Sequence, residues 1–146
     1  MNDEKFKIAE EKLYDYQKIK VEIKALELDI KEIQNEYAEY KNVDFFNGIY
    51  EENNEINNDI KIEHIQNDKR IINLKKEIVK KTIQIQKIDN SLELLDENEK
   101  KIVKYRYLIN NGKAHKWEYI SSMVSFSVPQ CKKMRVNIIN KIKDVI

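Results

Sequence analysis

Lys116–Lys143 reads K-W-E-Y-I-S-S-M-V-S-F-S-V-P-Q-C-K-K-M-R-V-N-I-I-N-K-I-K, and its spacing predicts two short helices joined by a tight connection. Trp117, Ile120 and Val124 recur at helical intervals, and Ser125-Phe126 forms the connection. Ser127 is a favourable N-cap, followed by Pro129 in a first turn that needs no amide hydrogen there. Beyond it, Cys131, Met134, Ile138, Ile142 and Val145 make one apolar stripe, three or four residues apart. Gln130, Lys132, Lys133 and Arg135 lie beside or opposite that stripe. A short helix, a turn and a second helix that is capped and basic form the pattern by which a helix-turn-helix offers side chains to a DNA major groove.

Working outward, Asp96 with Glu99 three residues later predicts a capped helix start. The helix it opens, about 97–109, is expected to bury Ile102, Val103, Leu108 and either Tyr105 or the faces beside Arg106. Asn110-Asn111-Gly112 ends it as a turn. Residues 96–146 thus read as a three-helix unit. They carry 11 Lys/Arg against 5 Asp/Glu, whereas residues 1–95 carry 16 against 21, although the whole chain has a net charge of only +1. A basic segment behind an acidic one confines anion recognition to the end of the chain.

Residues 4–41 read as one long helix. Tyr16, Ile19, Ile23, Leu26, Ile30, Ile33, Tyr37 and Tyr40 alternate spacings of three and four, a heptad seam that requires a partner helix. Phe6, Ala9 and Leu13 extend it less regularly. Residues 42–54 break the pattern at Asn47-Gly48, a turn signal, with Phe45, Phe46, Ile49 and Tyr50 as a hairpin cap or a contact patch. A second helix, roughly 55–94, repeats the seam through Ile71, Leu74, Ile78, Ile85, Ile88, Leu92 and Leu95. Asn57, His64 and Asn67 fall in its upstream register, while Ile62, Ile65, Ile72, Val79 and Ile83 widen the apolar face toward a second neighbour. The expected fold is all-α: an N-terminal helical hairpin or coiled coil (1–95), then a three-helix helix-turn-helix domain (96–146). An intramolecular hairpin that dimerises and a parallel dimeric coil both fit the pattern.

Two glycines, one proline and 36% charged residues in 146 describe a mainly helical protein. No apolar run approaches the roughly 20 residues that span a bilayer, and M-N-D-E-K-F-K lacks the apolar core of a secretory signal. One cysteine makes no internal disulfide, which favours a cytoplasmic setting. Two His and one Cys, far apart, make no zinc site. No phosphate loop or catalytic constellation is present, so no enzyme, metal or cofactor is expected. Cys131 reads as a small buried apolar side chain.

L-L-D-E-N-E-K-K-I-V-K-Y-R-Y-L (94–108), W-E-Y-I-S-S-M-V-S-F-S (117–127) and K-K-M-R-V-N-I-I-N-K-I (132–142) resemble region 4 of sigma-70-type factors. They are most similar to the phage late-gene transcriptional regulators of the RinA/ArpU kind, and L-Y-D-Y-Q-K-I-K-V-E-I-K-A-L-E-L-D-I (13–30) resembles their N-terminal helix. The resemblance implies a late-gene activator in a bacterial host cell that binds double-stranded promoter DNA and recruits host RNA polymerase, its N-terminal helices serving for dimerisation or polymerase contact; the heptad seams favour a homodimer through those helices. It implies that Val128, Pro129, Lys132 and Lys133 face the groove, with Gln130 beside them. Lys113, Lys116 and Arg135, with the Ser127 hydroxyl, suit phosphate. The chain departs from the pattern at Ser125, commonly glycine, at Ser121, usually alanine, and at Pro129, usually a polar reader. Two alternatives stay open. One is a minimal sigma factor, for which 1–95 offers no region-2-like module; the other is a coiled-coil adaptor that does not bind DNA.

Overall fold

A computed structural model describes residues 2–46, 54–109 and 114–146, with side-chain surroundings described for 4–36, 62–109 and 114–146. All regular structure among the described residues is helical: α1 (Asn2–Phe46), α2 (Asn54–Leu92), α3 (Glu97–Val103) continued by a π-helical turn (Lys104–Leu108), α4 (Trp117–Val124) and α5 (Val128–Ile142). The first helix runs to Phe46, five residues past the expected end, so Phe45 and Phe46 belong to it and not to a loop. The Asn47-Gly48 turn with Ile49 and Tyr50, and the Asn110-Asn111-Gly112 turn, lie outside the described residues.

The chain divides into two compact units, Met1–Val21 with Lys81–Ile146, and Glu22–Lys80. The first unit thus draws on both sides of the division expected at residue 96. In the second unit, Ile30 and Ile33 of the first helix are buried. They share the unit with the half-buried Ile71, Leu74 and Ile78 of α2. An open cavity of about 500 Å³ between the two segments is lined by Asp29, Glu32, Ile33, Arg70, Asn73 and Leu74, among others. Asn67 is buried in this seam, as the heptad register predicts.

In the first unit, Ala9, Leu13 and Tyr16 from α1 and Ile85, Ile88 and Ser91 from α2 are buried. Each of these helices has too narrow an apolar stripe to stand alone. Tyr16 donates its phenol to Asp89 at 2.7 Å, and the buried Ser91 hydroxyl donates to the Ile88 carbonyl at 2.7 Å. Burial, opposed by Lys20 and aided by Asp89, pushes the Tyr16 phenol up.

Helices α3, α4 and α5 contact one another pairwise. Their core holds Ile102, Val103, Tyr107, Ile120, Val124 and Cys131, with Ile138, Ile139 and Ile142. The start of α3 is capped as expected: Glu99 N–H donates to Asp96 at 2.8 Å and Asp96 N–H donates back to the Glu99 carboxylate at 3.1 Å. That hydrogen bond from Glu99 N–H holds the Asp96 carboxyl below the usual carboxylate range. Glu99 is itself buried, and Lys141 of α5 donates to both its oxygens at 2.8 and 2.9 Å. A buried carboxylate needs such partners. The same bonds push the Lys141 ammonium up.

The end of this helix corrects the sequence expectation. Of the alternatives Tyr105 and the faces beside Arg106, it is Tyr107, next to Arg106, that fills the core (1% exposed), while Tyr105 and Leu108 are only half-buried. The cause is the π turn, in which Ile109 N–H reaches back five residues to the Lys104 carbonyl at 3.0 Å. One extra residue per turn moves the inward position from 106 to 107. Burial, reinforced by Glu10, pushes the Tyr107 phenol up. The apolar stripe of α5 is also shorter than expected. Val145 is 54% exposed and Ile146 is buried instead, because the chain turns after Ile142, whose carbonyl accepts from the N–H groups of both.

Candidate nucleic-acid interface

The connection between α4 and α5 is Ser125-Phe126-Ser127. Ser125 has φ 63° and ψ 28°, and it is the one non-glycine residue with positive φ among the described residues. This left-handed step reverses the chain after α4, and it explains why glycine would suit the position. Ser125 N–H donates to the Ser121 carbonyl at 3.0 Å. The Ser121 hydroxyl donates to the Phe126 carbonyl, and the Cys131 thiol approaches the same oxygen at 3.7 Å. Serine in place of alanine at 121 therefore satisfies a turn carbonyl that an alanine would leave without this donor. Burial pushes the Cys131 thiol up, in keeping with an inert packing role.

Ser127 caps α5, its hydroxyl accepting the Gln130 N–H at 3.3 Å, with Val128 and Pro129 in the first turn. A serine hydroxyl that accepts here still has its own proton to donate. Pro129, Gln130, Lys132 and Lys133 are exposed and Val128 is half-buried. At 100° per residue, Pro129, Gln130 and Lys133 share the outward face with Val136, Asn137 and Asn140. All three of the latter are exposed, and none was singled out from the sequence. The signal was available, since they follow Lys133 at intervals of three, four and seven.

Lys132 lies at the edge of that face. It lines an open pocket of about 390 Å³ together with Glu10, Tyr14, Arg106, Trp117 and Arg135. Arg135 is not part of the outward set. Its guanidinium pairs with Glu10, which also accepts the Tyr107 phenol at 2.6 Å, and it lies 5.6 Å from the centre of the Phe6 ring. Tyr14 packs edge-on against Tyr107 with ring centres 4.7 Å apart. The first turns of α1 are thereby fastened to α3 and α5. No sequence pattern announces a pair 125 residues apart.

Lys116 is exposed and stands at the N-cap of α4. Lys113 lies outside the described residues. Trp117, expected to share the α4 core stripe, is half-buried. It carries the Arg106 guanidinium 4.5 Å above its ring, and Arg106 also donates to the His115 carbonyl at 2.7 Å. Arg106 thus fixes the entry into α4. On the outer side His115 stacks on Tyr119 at 4.7 Å, with Tyr105 edge-on to Tyr119 at 5.9 Å.

Of the expected contacts, then, Ser127, Gln130, Lys132 and Lys133 are presented together on the first two turns of α5, with Val128 partly covered. Neither Lys132 nor Lys133 forms an ion pair with a described residue. No group of three or more His, Cys, Asp or Glu among the described residues is placed to hold a metal ion. No described helix is long and apolar enough to cross a membrane. No family model, curated protein or solved structure matches the chain.

Proposed function

We propose that this protein is a sequence-specific DNA-binding transcription regulator that reads double-stranded promoter DNA with α5. The observation that carries the reading is the outward face of α5. A capped helix entered through a left-handed turn carries a mixed amide, cationic and apolar surface: Gln130, Lys133, Val136 and Asn137. These side-chain types suit base edges: Lys pairs with guanine, Gln or Asn with adenine, and Val meets a thymine methyl. Lys116, Lys132 and the Ser127 hydroxyl suit phosphate. The finer reading follows the resemblance: a phage late-gene activator acting with host RNA polymerase in the bacterial cytoplasm, homodimeric through its long helices.

A second reading, an adaptor whose C-terminal helices only pack, draws on the Arg135–Glu10 pair and the bridge from the exposed Lys141 to the buried Glu99. It expects no DNA affinity. Fluorescence anisotropy on duplex DNA over a salt series separates the two. The DNA reading expects log K to fall linearly with log salt, with Lys133→Ala reducing the slope by about 1 if it neutralises a phosphate, and weakening a preferred site if it reads a base. Salt-insensitive or absent binding by both proteins would leave the adaptor.

A further inference from the structure

In the unit formed by Glu22–Lys80, α2 shows two distinct apolar lines. One is the seam described above. The other consists of Ile62, Ile65, Ile72 and Val79, which are between 53% and 57% exposed. Lys69 and Lys76, also exposed, complete this second line, so positions 62, 65, 69, 72, 76 and 79 alternate spacings of three and four. An alternation of that kind over two and a half heptads forms a coiled-coil seam, and a half-bare line of β-branched residues is costly to leave in water.

We infer that this outward line is a self-association surface, and that it pairs antiparallel with the same line of a second copy. The inference sharpens the homodimer included in the proposed function and rests on that reading of the long helices, but it needs no DNA binding. The charges select both the occupant and the direction. In a parallel, in-register pair, Lys69 would stack on the partner's Lys69 and Lys76 on the partner's Lys76. Lys75 and Lys80, which flank the line, would then meet each other across the seam. In the antiparallel pair, Ile62 meets the partner's Val79, Ile65 packs along the stem of the partner's Lys76, and Lys69 lies along the partner's Ile72. Asp68 then falls opposite the partner's Lys75, and two-fold symmetry makes that ion pair twice. A surface complementary to itself in this way is the signature of an isologous contact.

Ile62 to Val79 spans about 26 Å of helix. Burying one such face covers on the order of 500 Å² per chain, less than the roughly 800 Å² of a standard interface. The association is therefore weak and concentration-dependent.

Sedimentation velocity on the full chain, from micromolar to submillimolar concentration, should show a monomer–dimer equilibrium. Ile72→Lys should abolish the dimer while circular dichroism shows unchanged helix content, since the replaced side chain faces solvent in the single chain. Asp68→Lys should weaken it roughly tenfold, and adding Lys75→Asp should restore it. A spin label on Lys80→Cys in a Cys131→Ser background reports direction. Antiparallel pairing places the two labels about 30 Å apart along the axis, and parallel pairing brings them within about 20 Å. A monomer at every concentration, a dimer indifferent to Ile72→Lys, or the short label distance would each overturn the inference. DNA binding measured alongside is a separate readout, so a failure there leaves this result intact.

Discussion

Replacing Ser125 by glycine should stabilise the protein, although the change removes side-chain atoms and a hydroxyl. Ser125 is held at φ 63°, ψ 28°, where an L-residue with a Cβ is disfavoured by roughly 1–2 kcal/mol. Glycine removes that cost but gives the unfolded chain more freedom, a loss of roughly 0.5–1 kcal/mol. The difference lies between zero and about 1.5 kcal/mol, centred on a net gain of about 0.75 kcal/mol. No packing opposes it, because the side chain is exposed. For a chain of this length, the gain corresponds to a rise in Tm of about 2–3 °C. Ser125→Val tests the same geometry in the opposite sense: a β-branched residue in the left-handed region should lose at least 1 kcal/mol relative to serine. Urea titrations of the three proteins, with calorimetry as a second probe, measure both differences. A neutral or destabilising glycine together with a tolerated valine would show that the turn is not left-handed, and the helix-turn-helix geometry built on it would fall.

Asp96→Ala removes the cap of α3 and should cost about 1 kcal/mol at neutral pH. Because the folded carboxyl is held below its usual range, its contribution is complete above the unfolded value and fades as pH falls through the folded one. The wild-type advantage in Tm should therefore shrink below about pH 4 and be flat from pH 5 to 8. Glu10→Gln deprives the part-buried Arg135 of its counter-charge and should cost about 1.5–3 kcal/mol in urea denaturation. Tyr107→Phe should cost about 1 kcal/mol through the lost hydrogen bond to the same carboxylate, and the double variant should be less destabilised than the sum. Asn137→Ala, on the outward face of α5, should relax base preference at one position at a cost of about 1–3 kcal/mol. This would appear in competition binding as a flattened preference at that base pair with unchanged affinity for non-specific duplex.

Much of this architecture is legible in the residues because its signals are local. Asp96 and Glu99 announce a capping box, Ser127 and Pro129 a helix start, and the apolar pattern places Ile120, Val124, Cys131, Ile138 and Ile142 in the core, although its members Trp117 and Met134 are only half-buried and Val145 is exposed. The heptads in the long helices likewise predict Ile30, Ile33, Ile85 and Ile88 as core. Readings failed where position depends on distant or non-ideal structure. A 3.6-residue period cannot foresee the π turn that brings Tyr107 inward. Charge counting treats Arg135 as one more surface cation, because Glu10 is remote in sequence and its pairing is set by how α1 packs. Spacing from an assumed N-cap located the first turn of α5 but stopped at Arg135. Continuing the same projection to Val136, Asn137 and Asn140 would have found the rest of the exposed face.

The central claim is most directly tested by selecting the purified chain on randomised duplex DNA, beside a Lys132→Ala/Lys133→Ala variant. A sequence-specific reader predicts enrichment of a defined motif by the wild type and its loss in the variant, with the helical content of both unchanged. No enrichment by the wild type, with equally weak binding by both proteins, would contradict the account and leave the C-terminal helices as packing elements of an adaptor.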